Sequence, residues 1–204
     1  MSFIDTLRDK IFGFNRQDLY ETDLKDLPRC SKEERETPVE SIIAGPPGFN
    51  ATDKFPERVL FVCSGNICRS AYAAAKFKQL TKDHDVKITS AGTLRIAGSK
   101  AAPEMVATAR ENGIDLDDHR SSPLSRLLIQ SADLIFVMED NHKQVITRIS
   151  PESEPKIVML GHFLNEPQQE IEDPMGQEPE VYRTVSAQIY EALENWLARL
   201  PQAG

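Results

Sequence analysis

A short apolar run that stops at a cysteine does most to restrict the fold of this chain. Val59-Leu60-Phe61-Val62-Cys63 is apolar at every position, the pattern of a strand covered on both faces. A glycine-containing turn follows, and then SAYAAAKFKQL over 70–80, rich in helix formers. The alternation repeats downstream. VKITSAG (86–92) reads as a second strand, and Pro103 stands where a first helical turn tolerates proline, ahead of EMVATAREN, with Gly113 as the stop. DLIFVM (133–138), a helix near DNHKQVITRI and KIVML (156–160) come next. A last helix over roughly 179–199 puts Val181, Val185, Ile189, Leu193 and Trp196 on one face. Apolar strands alternating with helices predict an α/β fold, a parallel sheet with helices on both faces. In such sheets ligands sit beyond the C-terminal ends of the strands, where Cys63 lies.

The 204 residues exceed one domain of about 150, and the surplus is N-terminal. Residues 1–57 have sparse apolar residues without sustained alternation, and Gly45-Pro46-Pro47-Gly48 reads as a linker or turn. They form an extension of uncertain structure, partly helical or linker, ahead of a domain over 58–204. Phe3, Ile4, Leu7 and Ile11 make a narrow apolar stripe, which either caps the domain's own surface or docks on a partner or membrane. The net charge of −8 gives no sequence-wide attraction to nucleic acid. Three cysteines are not a disulfide scaffold, and a reduced, cytoplasmic setting is expected. No signal-like core opens the sequence, and no window approaches the ~18 apolar residues of a membrane span.

The chemistry lies in Cys63-Ser64-Gly65-Asn66-Ile67-Cys68-Arg69-Ser70, a Cys and an Arg with five residues between. A strand running through such a loop into a helix can curl its backbone N–H groups toward one point. Those amides and the helix N-terminus form a cradle for a tetrahedral dianion. Gly65 and Asn66 tolerate the left-handed conformations a curl demands. A thiol at the centre is favoured as the anion and is poised for in-line attack on phosphorus. Arg69 offers a planar fork for two phosphoryl oxygens, and Ser70 can donate a hydrogen bond to the thiolate.

VLFVCSGNICRS resembles the signature loop of low-molecular-weight protein tyrosine phosphatases and their arsenate-reductase relatives. The likeness continues through Ser90-Ala91-Gly92-Thr93, GIDLDDHR over 113–120, Asp133–Met138 and Asp173-Pro174, and so covers about residues 58–200. The resemblance implies a four-stranded parallel sheet of order 2-1-3-4. It also implies hydrolysis of phosphotyrosine, or a related phosphomonoester, on protein substrates through a phosphocysteine, with no cofactor and no metal. Cys63 would be the nucleophile, Arg69 the phosphate clamp and Asp173 the proton donor. Ser64, Gly65, Asn66, Ile67, Cys68 and Ser70 would surround the phosphate. Asp173-Pro174 read without that loop is no more than a turn, and Glu172 is a neighbouring carboxyl. In relatives with a pair like Cys63 and Cys68 the two thiols can form a protective disulfide; a small buried residue is the other reading of Cys68.

Other functions on the same loop separate by sequence. Thioredoxin-coupled arsenate reduction needs further cysteines downstream, and none follows Cys68. A phosphate-binding module without activity would not need Cys63, Arg69 and Asp173 together. For a protein arginine phosphatase the family pattern places Thr where this chain has Ile67, and Ile resembles the tyrosine-directed members. The rim departs from those members: Met175 follows Asp-Pro and Leu94-Arg95-Ile96 follows SAGT, so Leu94 and Met175 offer apolar contact without ring stacking. His84, His119, His142 and His162 lack metal-ligand spacing and are expected on the surface or in hydrogen bonds.

Overall fold

A computed structural model describes residues 55–166 and 170–200; the helical stripe near residues 3–11 and the linker near 45–48 lie outside them. The chain runs β1 (Arg58–Cys63), α1 (Arg69–Leu80), β2 (Lys87–Gly92), α2 (Pro103–Glu111), α3 (Arg126–Ser131), β3 (Leu134–Val137), α4 (Asp140–Ile149), β4 (Ile157–Met159) and α5 (Pro179–Ala198). Short 3-10 turns flank β4. The strands form one sheet in the order β2-β1-β3-β4, and every pairing is parallel.

Alternation along the strands divides the core in two. Val59, Phe61 and Cys63 of β1 face one side with Phe136, where Phe77, Met105, Ile189 and Leu193 of α1, α2 and α5 cover them. Leu60 and Val62 face the other side with Ile135 and Val137, under Ile129 of α3 and Ile146 of α4. Two covered faces explain why β1 and β3 are apolar at almost every position. The edge strand β2 is half-buried over Ile88–Ser90, which is why its sequence is mixed.

Element ends follow local chemistry. Pro103 occupies the first turn of α2, and past the helix end Gly113 takes a left-handed φ of 69° that a side chain disfavours. Helix α3 was not foreseen: its six residues are too few for a periodic signal, and it begins where Ser125 Oγ accepts the Leu128 N–H. The path reverses between β1 and β3, since the chain goes from β1 outward to β2 and returns across to β3. Cys63 ends β1 at that switch point.

Candidate active site

The loop after β1 owes its curl to where its carbonyls go. The carbonyl of Cys63 accepts from Thr93 N and that of Ser64 from Leu94 N, both at 2.9 Å. The carbonyl of Ile67 accepts from Ala102 N at 2.9 Å and that of Cys68 from Tyr72 N at 3.0 Å. The Asn66 carbonyl lies 2.7 Å from His119 Nε2, which must carry the proton because a carbonyl only accepts. With the oxygens bound outward, the amides are free to turn to the inside, and Asn66 N donates to Cys63 Sγ at 3.3 Å.

Asn66 is left-handed at φ 53°, and among the described residues it alone takes that region without being glycine. Its buried side chain holds it there. Nδ2 donates to Ser70 Oγ and Ser90 Oγ, both at 2.9 Å, and Oδ1 accepts from Ser122 N at 2.8 Å. Gly65 does not have a positive φ. Its use is room: a Cβ there would stand 3.2 Å from Ile67 Cγ1 and close to Ile96. Gly92 at the end of β2 is needed for the same reason, since a Cβ would lie 2.8 Å from the Ser64 carbonyl.

Ser70 Oγ is 2.9 Å from Cys63 Sγ. Because that oxygen accepts from Asn66, its own proton is left for the sulfur. Cys63 and Cys68 are both buried free thiols. Burial, and then the charges of Asp173 and Cys63, push the Cys68 thiol well up, so it stays protonated at neutral pH.

Arg69 is buried in the first turn of α1. Its Nη1 donates to Glu139 Oε1 and, at 2.8 Å, to the Ile171 carbonyl, and its Nη2 meets Asp173 Oδ2 at 2.8 Å. Burial works against the charge, but Asp173, Cys63 and Glu139 more than offset it and hold the guanidinium protonated. Its Nε is buried with no hydrogen-bond partner among the described residues.

Asp173 is half-buried and reaches Arg69, while Oδ1 accepts from Met175 N at 3.3 Å. Glu172 is turned to solvent and accepts from Gln177 at 2.9 Å, so of the two neighbouring carboxyls only Asp173 faces the loop. Leu94, Ile96 and Met175 are half-buried and Ile67 is buried.

Besides the Asn66 partners Ser90, His119 and Ser122, two further site residues escape sequence reasoning. Glu139 precedes α4 and makes a reciprocal cap with His142: its carboxylate takes the His142 backbone N–H, and Nδ1 of His142 takes that of Glu139. The same carboxylate holds Arg69. His142 is fully buried, and its Nε2 is 3.0 Å from Ser64 Oγ. Burial, with Arg69 adding, lowers its pKa to about 3, so the ring is neutral. Among the described residues no cluster of three His, Cys, Asp or Glu side chains could hold a metal ion.

A thiol in an amide cradle, backed by a buried arginine and faced by an aspartate on a parallel α/β sheet, defines a site for phosphoryl or related oxyanion chemistry. Residues 58–203 match the model of the low molecular weight phosphotyrosine protein phosphatases, and the chain belongs to that family. It is 34% identical over 142 residues to the probable low molecular weight protein-tyrosine-phosphatase AmsI of Erwinia amylovora, covering 70% of this chain and 96% of that one. It is 33% identical to a protein-arginine-phosphatase of Bacillus subtilis, covering 70% and 95%. The crystal structure of AmsI superposes with a TM-score of 0.69 at 32% identity, over 74% of this chain and 97% of that one. Vibrio vulnificus Wzb, solved in complex with benzylphosphonate, superposes with a TM-score of 0.66 at 32% identity, over 72% and 100%. The protein is a cysteine-dependent phosphatase of this family, whose relatives include both tyrosine and arginine phosphatases.

Proposed function

We propose that the protein hydrolyses phosphotyrosine on protein substrates through a phosphocysteine formed on Cys63. One observation carries the reading: a fully buried arginine beside the thiol retains an unpartnered Nε–H in a loop whose carbonyls are bound outward. A phosphoryl group supplies the acceptors that these donors lack. The Cys63 sulfur attacks phosphorus in line as the P–O bond to the leaving group breaks, and Asp173 gives that oxygen its proton. Asp173 then takes a proton from water as water attacks phosphorus, the S–P bond breaks, and the thiolate departs under the Ser70 hydrogen bond. The amides of residues 64–69 and the Arg69 fork bear the charge on the equatorial oxygens throughout.

The family match beginning at residue 58 supports dividing the chain into an extension over 1–57 and a phosphatase domain over 58–204. Among the described residues no helix is long and apolar enough to cross a membrane. A cytoplasmic setting is part of the proposal and rests on a site thiol that must stay reduced to react.

A second reading, protein arginine phosphatase, is favoured by the rim. Leu94, Ile96 and Met175 are aliphatic and offer no ring to stack on a phenyl group among the described rim residues, which forgoes roughly 0.5–1.5 kcal/mol per aromatic pair; Ile67 in place of Thr argues the other way. Purified protein assayed without added metal on an aryl phosphate, a phosphotyrosine peptide and a phosphoarginine substrate separates the two. Phosphotyrosine turnover with an acidic optimum, abolished by Cys63→Ser, is the expected result. Preferred release from phosphoarginine would install the second reading, and undiminished turnover by Cys63→Ser would remove the thiol from the mechanism.

A further inference from the structure

One half-exposed side chain in the loop has a hydroxyl proton with no acceptor among the described residues. Ser64 Oγ lies 3.0 Å from His142 Nε2 and 3.5 Å from Arg69 Nη2. The direction of the first contact is fixed by the other ring nitrogen. His142 Nδ1 accepts the Glu139 backbone N–H at 3.1 Å, and a ring nitrogen that accepts has no proton. In a neutral imidazole the proton is then on Nε2. His142 therefore donates to Ser64, and a guanidinium can only donate. Both neighbours of this oxygen are donors, and among the described residues no acceptor takes the hydroxyl proton. The arrangement is rigid, because His142 is fully buried and its ring is tied to the start of α4 by the reciprocal cap. Arg69 Nη2, which donates to Ser64, also meets Asp173 Oδ2 at 2.8 Å, so one guanidinium nitrogen links the hydroxyl and the carboxyl.

We propose that the Ser64 hydroxyl is a side-chain hydrogen-bond donor to the phosphoryl group, additional to the amides and Arg69, and that His142 is the positioning residue that fixes its direction. The inference rests on reading the loop as a phosphoryl cradle. Ser64 touches the ligand; His142 does not.

The test uses the full chain with inorganic phosphate, titrated calorimetrically, and vanadate as an inhibitor of aryl phosphate turnover. Ser64→Ala should weaken both ligands and lower kcat/KM by roughly tenfold, the scale of one hydrogen bond to a charged group, with an unchanged thermal midpoint. Ser64→Thr, which keeps the hydroxyl, should restore most of the loss. His142→Ala should have a similar effect alone and less than about a twofold effect on top of Ser64→Ala, since coupled residues do not add. Ser64→Ala within twofold of the parent on both ligands overturns the proposal, and so does additivity of the two substitutions. Should His142→Ala fail to fold, the Ser64→Ala and Ser64→Thr pair decides alone. Phosphate binding that depends on Ser64 in a protein that hydrolyses no phosphomonoester would sink the phosphatase reading and leave this inference standing. Cys63-dependent turnover indifferent to Ser64→Ala would do the reverse.

Discussion

Arg69 meets four acceptors, the carboxylates of Glu139 and Asp173, the carbonyl of Ile171 and, at 3.5 Å, the Ser64 hydroxyl, and that sharing decides what replacing it does. Lysine keeps the charge but has no fork to share among them. Arg69→Lys is expected to lower kcat/KM on an aryl phosphate by about a hundredfold or more, since charge-assisted forked bonds are the strong ones. Asp173→Asn should reduce kcat on a phosphotyrosine peptide by roughly 10²–10⁴, and far less on a substrate whose leaving group needs no proton. Glu172→Gln should stay near the parent rate, because Glu172 points to solvent; a large loss there would mean that the acid is misassigned. His142 sets a pH dependence of stability. Its pKa falls from 6.5 to about 3 on folding, through burial and then Arg69. Between those values the unfolded chain binds a proton that the folded one refuses. Stability is full above the unfolded value and is lost as pH drops through that window, by up to about 1.4 kcal/mol per unit. Thermal midpoints measured between pH 7 and pH 4 should show that slope, and His142→Gln should flatten it.

At the scale of elements, the loop is shaped by its neighbours as much as by its own residues. The end of β2 and the segment after it donate Thr93 N and Leu94 N to the loop, and they approach so closely that only glycine fits at position 92. Alanine there would place its Cβ 2.8 Å from one backbone atom and 2.9 Å from another, where no rotamer change gives relief. Gly92→Ala is expected to cost about 1–3 kcal/mol of stability and to weaken vanadate inhibition. Denaturant midpoints together with inhibition curves check it, and unaltered vanadate affinity would show that the loop does not depend on this contact. The start of α4 is the second support. Its Glu139–His142 cap reaches both Arg69 and Ser64, which joins the β3 end of the sheet to the β1 loop. The stretch leading to Asp173 is docked by Ile171, whose N–H donates to the Met138 carbonyl at 2.8 Å and whose carbonyl accepts from Arg69.

Across the whole described domain, an aromatic cluster fills the face of the sheet under α1 and α5. Phe61, Phe77 and Phe136 contact one another, and Trp196 packs on Phe77 and Phe136. Phe55, ahead of β1, stacks on His84 at 4.2 Å and meets Trp196 edge-on at 6.3 Å. It closes the cluster at the end of β1 opposite Cys63. Phe55→Ala in the full chain should therefore lower stability by about 1–2 kcal/mol, a shift of several degrees in thermal midpoint, with turnover unchanged. A loss of activity at unchanged stability would show that this end of the sheet communicates with the site.

The sequence by itself determined a parallel sheet covered on two faces, because strands so buried must be apolar throughout and β1, β3 and β4 are nearly so; the strand order came from the family resemblance. It also pointed to the loop, since Cys63, Asn66, Arg69 and Ser70 are local to one stretch of chain between a strand and a helix, and that context gives the spacing its meaning. Asp173 was legible only through family resemblance, as an Asp-Pro pair has no signature of its own. Glu139, Ser90, His119, Ser122 and His142 were not legible as site residues. Each lies more than twenty positions from Asn66 or Arg69, and a cap made by Glu and His does not follow the usual Ser/Thr–Glu pattern. Which face of α4 meets the loop, and which atoms take up the loop's carbonyls, depends on how separate elements pack. Hydrogen bonds between distant segments leave no period in a sequence, so only the tertiary structure could decide them.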